Sequence, residues 1–232
     1  MAGLKHRRHL FFDLDDTLWD FEKNSSVVLK DLFVEFELAG KLKTGFDDFY
    51  VTYKKINHGL WAQYYKKQVD KAFLRNNRFN EAFKQFNYDN YAENLLVTEQ
   101  YLDRSPKGTH LKDGCIETLD YLKDKYTLHI ITNGFKEVQG IKLNGCGLQN
   151  YFSQVIISEE HLLTKPDKEI FRLAESFADT HAGDCVMIGD NYESDIEGAL
   201  NAGWEAIYFA DENTRGHKGN FISRLGELKS IF

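Results

Sequence analysis

Leu10-Phe11-Phe12-Asp13-Leu14-Asp15-Asp16-Thr17 sets a short apolar run against a cluster of carboxylates. An apolar run of this length, ended by acidic and hydroxyl residues, reads as a buried strand that hands over to a loop. Extended chain sends residues two apart to one side, so Asp13 and Asp15 can address a common point. The pattern of apolar run and polar stop returns at Leu128 to Ile131 before Thr132, Val155 to Ile157 before Ser158, and Val186 to Ile188 before Gly189. Between these runs, Ile116, Leu119 and Leu122, then Ile170, Leu173, Ala174 and Phe177, fall at helical spacing. Strand and helix alternate from about Leu111 onward. The fold class this implies is α/β, a parallel sheet flanked by helices on both faces and joined by right-handed crossovers. Sites in such sheets lie at the carboxyl ends of strands, where Asp13, Thr132 and Asp190 all fall.

The stretch from about Phe21 to Tyr101 is rich in Lys, Glu, Asn and aromatics and shows helical spacing without a clear strand. It reads as a helical insert that leaves after the first strand and returns near Ser105-Pro106-Lys107-Gly108, a Pro/Gly turn. The expected division is a core of residues 1–18 and 104–232 and an inserted helical cap of residues 19–103. The aromatics Trp19, Phe21, Tyr53, Trp61, Tyr64 and Tyr65 either stack on a flat ligand or, as helical spacing usually means, form the insert's own core.

The 232 residues are 42% hydrophobic, enough for a substantial core. Acidic residues outnumber basic ones 36 to 29, and the net charge of −7 repels a nucleic-acid polymer. A small phosphorylated molecule remains a fitting partner, because one metal ion and one lysine reverse the field locally. Cys115, Cys146 and Cys185 are odd in number and lack C-x-x-C spacing, so reduced, buried thiols are expected. The basic lead-in Lys5, His6, Arg7, Arg8 and His9 precedes too short an apolar run for a signal peptide, and no stretch has the length of a membrane span. A cytoplasmic monomer or homodimer without membrane attachment is expected.

The chemistry concentrates in separated segments. Asp13 is placed as a nucleophile able to form an aspartyl-phosphate, and Asp15 as the acid that protonates the departing oxygen and then the base that activates water. Gly189-Asp190-Asn191-Tyr192-Glu193-Ser194-Asp195 adds carboxylates after another strand. Magnesium takes hard oxygen ligands and retains waters, so Asp13, the backbone carbonyl of Asp15, and Asp190 form the expected metal set. Asp195 has three readings: a direct ligand, a group that orients a water, or a carboxylate favouring the positive end of the following helix. Thr132, with Asn133 and Gly134, offers a hydroxyl and N–H groups to phosphate oxygens. Lys165, extended before Pro166, supplies positive charge to the phosphoryl oxygens and to Asp13.

These segments resemble the motifs of the haloacid dehalogenase superfamily: Asp13-Leu14-Asp15-Asp16-Thr17, Thr132, Lys165, and Gly189-Asp190 with Asp195, in order. The resemblance implies a Rossmann-like core with a cap inserted after the first motif, and Mg2+ as cofactor. Its dehalogenase branch lacks a carboxyl at the position of Asp15, so the resemblance points to phosphatases. The runs Ile131-Thr132-Asn133-Gly134-Phe135, Gly147-Leu148-Gln149-Asn150-Tyr151-Phe152, Ile157-Ser158-Glu159-Glu160 and Lys165-Pro166 are similar to the pyrimidine 5′-nucleotidase branch, which includes house-cleaning enzymes for non-canonical nucleotides. Asp16 stands where many relatives carry glycine. The function implied is a magnesium-dependent phosphomonoesterase for nucleoside 5′-monophosphates. The alternatives are a sugar-phosphate phosphatase or phosphomutase, or a non-catalytic binding module on the same fold.

Overall fold

A computed structural model describes residues 4–210 and 219–232 of the chain. They form two compact units, one running to Phe21 and resuming at Thr109, the other spanning Glu22–Gly108.

The first unit is built on a six-stranded sheet, all parallel, in the order β3-β2-β1-β4-β5-β6. The strands are β1 (His9–Phe12), β2 (Thr127–Thr132), β3 (Gln154–Ile157), β4 (Cys185–Gly189), β5 (Glu205–Phe209) and β6 (Asn220–Ile222). The α/β class with a parallel, helix-flanked sheet therefore stands. Alternation along each strand sorts side chains onto two buried faces. Leu10, Phe12, Ile130, Val186, Ile188 and Ile207 join one core cluster, while Phe11, Ile131, Cys185, Met187 and Ala206 join the other. Helix α6 (Cys115–Lys123) covers the first face with Leu119 and Leu122, and α11 (Leu228–Ile231) with Leu228 and Ile231. Helix α9 (Lys168–Phe177) covers the second with Ile170, Phe171 and Ala174, joined by Ala199 of α10 (Gly198–Asn201). Helices α7 (Lys136–Gly145) and α8 (Ser158–His161) follow β2 and β3.

Register aligns the strand ends. Phe12 pairs with Ile130 on one side and Ile188 on the other, so the loops after β2, β1 and β4 emerge side by side. Sequences as distant as Asp13 and Asp190 thereby become neighbours.

The second unit is helical: α1 (Phe21–Glu35), of which all but the first residue belongs to it, α2 (Leu38–Leu42), α3 (Phe46–Tyr65), α4 (Lys71–Lys84) and α5 (Tyr91–Arg104). Its core is aromatic, with Phe33, Phe49, Tyr53, Phe79, Phe83 and Tyr101 packed together. Helix α4 begins on Asp70, whose carboxylate accepts the Phe73 N–H at 2.7 Å. The unit boundaries fall slightly beyond the expected 18/19 and 103/104 divisions. Trp19 is fully buried and Phe21 partly buried in the sheet unit's core, whereas Gly108 stays with the insert, where an added Cβ would lie 2.4 Å from Asn24 Oδ1. Two of the six aromatics expected in the cap thus belong to the sheet unit. Of the others, Tyr53 is core, while Trp61 packs against Tyr64 and Tyr65 on α3.

Cys115 and Cys185 are buried and Cys146 is half-buried; all are free thiols. No described helix is long and apolar enough to cross a membrane. Within the basic lead-in, Arg7 pairs with Glu205 at 3.3 Å; the side chain of Lys5 lies outside the described residues.

Candidate active site

Asp13 is the first residue beyond β1, and its N–H still bonds to the Ile188 carbonyl of β4 at 2.9 Å, which fixes the backbone at the strand end. The chain then folds into a tight turn, with Leu18 and Trp19 N–H both on Leu14 O and Asp16 N–H on Trp19 O. Asp16 adopts φ 57°, a left-handed conformation that glycine enters freely and aspartate tolerates. Thr17, buried in the turn, donates to Asp190 Oδ1 at 2.9 Å.

Lys165 is the electrostatic centre. Its Nζ lies 2.6 Å from Asp13 Oδ1, 2.6 Å from Asp195 Oδ1 and 2.8 Å from the Ile131 carbonyl. An ammonium has three protons, so all its donors are engaged within the protein. Burial alone would push this lysine down, but Asp13 and Asp195 outweigh burial and hold it well above its ordinary value. The Lys165 backbone is braced in turn: Asn133 Nδ2 donates to its carbonyl and Asn133 Oδ1 accepts its N–H, both at 2.9 Å. The Asn133 side chain is thus engaged in positioning Lys165, a use that the expectation, which set the backbone N–H groups of Asn133 and Gly134 toward phosphate, did not include. With all its donors engaged, Lys165 offers the site positive charge rather than an unused N–H.

Asp195 sits in a π-helical turn, Tyr192–Glu197, fully buried, with Oδ2 accepting the Asn191 N–H at 3.0 Å. It reaches that place because residue 189 lacks a side chain; a Cβ there would stand 2.2 Å from Asp195 Oδ2. The expected readings of Asp195 omitted its ion pair with Lys165.

Asp13, Asp190 and Asp195 each bring a carboxylate oxygen within 4.8 Å of the others. Burial pushes the Asp13 carboxyl up to about 7, with Lys165 opposing and Asp195 reinforcing the rise. Burial and the neighbouring Asp13 likewise raise Asp190 well above the carboxylate range. Once ionised, three carboxylates about one lysine carry an excess of negative charge, and their hard oxygen donors suit a divalent cation such as magnesium. The donor set therefore fits the metal.

Asp15 is held differently. Its Oδ1 pairs with Lys142 at 2.5 Å and its Oδ2 accepts from Gln139 Nε2 at 3.0 Å. Gln139 Nε2 also donates to Thr132 Oγ1 at 3.1 Å, and Gly134 N–H donates to the same oxygen at 3.1 Å. With both acceptor positions of the hydroxyl taken, its own proton is left to point elsewhere. Neither Gln139 nor Lys142 was expected from the sequence. The signal was their spacing of three, which with Leu143 puts polar residues on the buried face of α7.

A family model described as haloacid dehalogenase-like hydrolase matches residues 8–203, most of the chain and every segment above. The chain belongs to the haloacid dehalogenase-like hydrolase family. Among named relatives, the pyrimidine 5′-nucleotidase PynA of Streptococcus pneumoniae is 31% identical, covering 90% of this chain and 86% of its own. The pyrimidine 5′-nucleotidase YjjG of Escherichia coli is 30% identical over 96% of both chains. The structure of the HAD-hydrolase YfnB of Bacillus subtilis, bound to magnesium, superposes with a TM-score of 0.87 at 28% identity, covering 97% of this chain and 98% of that one. Within the haloacid dehalogenase-like family, this chain is a phosphatase.

Proposed function

We propose that the protein hydrolyses nucleoside 5′-monophosphates, pyrimidine ones foremost, with Mg2+ and through a phosphorylated Asp13. The observation that carries the mechanism is Lys165 gripping Asp13 Oδ1 at 2.6 Å beside two further buried carboxylates. Similarity to PynA and YjjG supports the substrate class.

The other oxygen of Asp13 attacks phosphorus, and the bond from phosphorus to the ester oxygen breaks. Asp15 gives its proton to that departing oxygen, so the nucleoside leaves as an alcohol. Asp15 then takes a proton from water, whose oxygen attacks phosphorus; the Asp13–phosphorus bond breaks and inorganic phosphate leaves. Thr132 donates its remaining proton to a phosphoryl oxygen, and Lys165 lowers the cost of negative charge near Asp13. Asp13, the Asp15 carbonyl and Asp190 would hold Mg2+, which when bound neutralises phosphoryl charge and aligns the phosphate.

The test is phosphate release from a panel of nucleoside monophosphates and sugar phosphates, with Mg2+ and with chelator. Magnesium-dependent release that favours pyrimidine nucleotides is expected, and Asp13→Asn should lower it by roughly 10⁴-fold or more, since an amide is a poor nucleophile. Preference for sugar phosphates would replace the substrate assignment, and undiminished turnover by Asp13→Asn would remove the covalent step.

A further inference from the structure

We propose that Lys142 and Gln139 are positioning residues for Asp15, holding its carboxylate beside Thr132 in the orientation from which it protonates the leaving oxygen. This rests on the reading of Asp15 as acid and base given above.

An aspartate on a turn samples several staggered side-chain conformations. Here each carboxylate oxygen has its own donor, Lys142 on Oδ1 at 2.5 Å and Gln139 on Oδ2 at 3.0 Å, which fixes both torsions at once and leaves each oxygen a second lone pair to carry the proton that is transferred. The donors are themselves immobilised. Lys142 Nζ lies 4.6 Å from the centroid of Trp19, a buried ring four residues beyond Asp15 on the same turn. Gln139 is fully buried and ties Asp15 to Thr132, linking the acid to the hydroxyl that would contact the phosphate. Space for that amide exists only because residue 134 is glycine: a Cβ there would fall 1.4 Å from Gln139 Nε2.

Stability does not account for the arrangement. Replacing a buried ion pair by apolar residues of similar size is often neutral or stabilising, and the adjacent Leu143 shows that this face of α7 accepts them. Acid catalysis, by contrast, demands a proton within hydrogen-bond reach of the departing atom.

The predicted signature depends on the leaving group. An alkoxide must be protonated as it departs, whereas p-nitrophenolate leaves unaided. In purified full-length enzyme with Mg2+, Lys142→Met should lower kcat/KM for a nucleoside monophosphate by about 10²-fold, and for p-nitrophenyl phosphate by less than about tenfold. Gln139→Leu, which removes the donor on Oδ2 and leaves residue 134 unchanged, should show the same bias. Lys142→Arg should restore part of the loss on the nucleotide. Equal losses on both esters, or none on either, would overturn the proposal and leave the phosphatase reading intact. Should Lys142→Met fail to fold by circular dichroism, Gln139→Leu decides by the same two ratios. Wild-type enzyme inert on both esters would overturn the functional reading, and this inference with it.

Discussion

A methyl group at position 189 would approach Asp195 Oδ2 to 2.2 Å and its Cγ to 2.5 Å, so neither the carboxylate nor its stem could remain in place. Because Asp195 is one of the acceptors that hold Lys165, the disturbance passes to Asp13. Gly189→Ala should therefore cost about 1–3 kcal/mol by overpacking and reduce phosphate release as well. Urea denaturation and a turnover assay check it together; an active, equally stable variant would show that the clamp is not needed. At this scale the sequence was legible where a candidate site residue ends a strand, as Thr132 does, or directly follows one, as Asp13 and Asp190 do. Lys165 was legible beside Pro166. Gln139, Lys142 and the bracing amide of Asn133 were not, because polar residues on a helix or turn look solvated until burial is known. Asp195 was seen, but its partner was a long-range contact that no local pattern encodes.

Among the elements, four strands announced themselves as apolar runs, while β5 and β6 did not. β5 is only partly buried, with Glu205, Tyr208 and Phe209 half-exposed, and β6 is a three-residue edge strand whose Phe221 is exposed. Their pairing comes from the sheet rather than from their own composition. β2 carries a second consequence. His129 is buried between neighbours, its ring stacked 4.4 Å from Phe11 and its Nε2 3.0 Å from His9 Nδ1. Burial lowers its pKa from the ordinary 6.5 to about 4. The unfolded chain then takes up the proton first as pH falls, so the stability this group contributes is whole above about 6.5 and declines between there and about 4. His129→Phe should remove the decline, shifting the wild-type-to-variant difference in the variant's favour by roughly 2 kcal/mol between pH 7 and pH 5. Denaturant titrations at both values measure it, and a constant difference would refute it.

For the molecule as a whole, the packed carboxylates couple proton binding to stability. Asp13 binds a proton more tightly folded than unfolded, since burial raises its carboxyl from 3.8 to about 7. In metal-free protein its contribution is fully present below about 4 and fades as pH rises toward 7. A divalent cation needs the ionised form, so Mg2+ should stabilise the protein more at pH 8 than at pH 6. At a hundredfold excess over Kd the gain is about 2.7 kcal/mol, visible as a higher Tm. An identical Mg2+ shift at both pH values would argue that these carboxylates do not bind the ion.

The saturation of Lys165 has an outcome for labelling chemistry. An acylating or reductively methylating reagent needs an exposed, deprotonated amine, and this one is 2% exposed, triply bonded and held protonated. Surface lysines should react within the native state, whereas Lys165 should become modified only when the loops after β1, β2 and β4 part. Mass spectrometry of the peptide containing residue 165 would then time that opening directly, a clock built into the chain without any introduced probe.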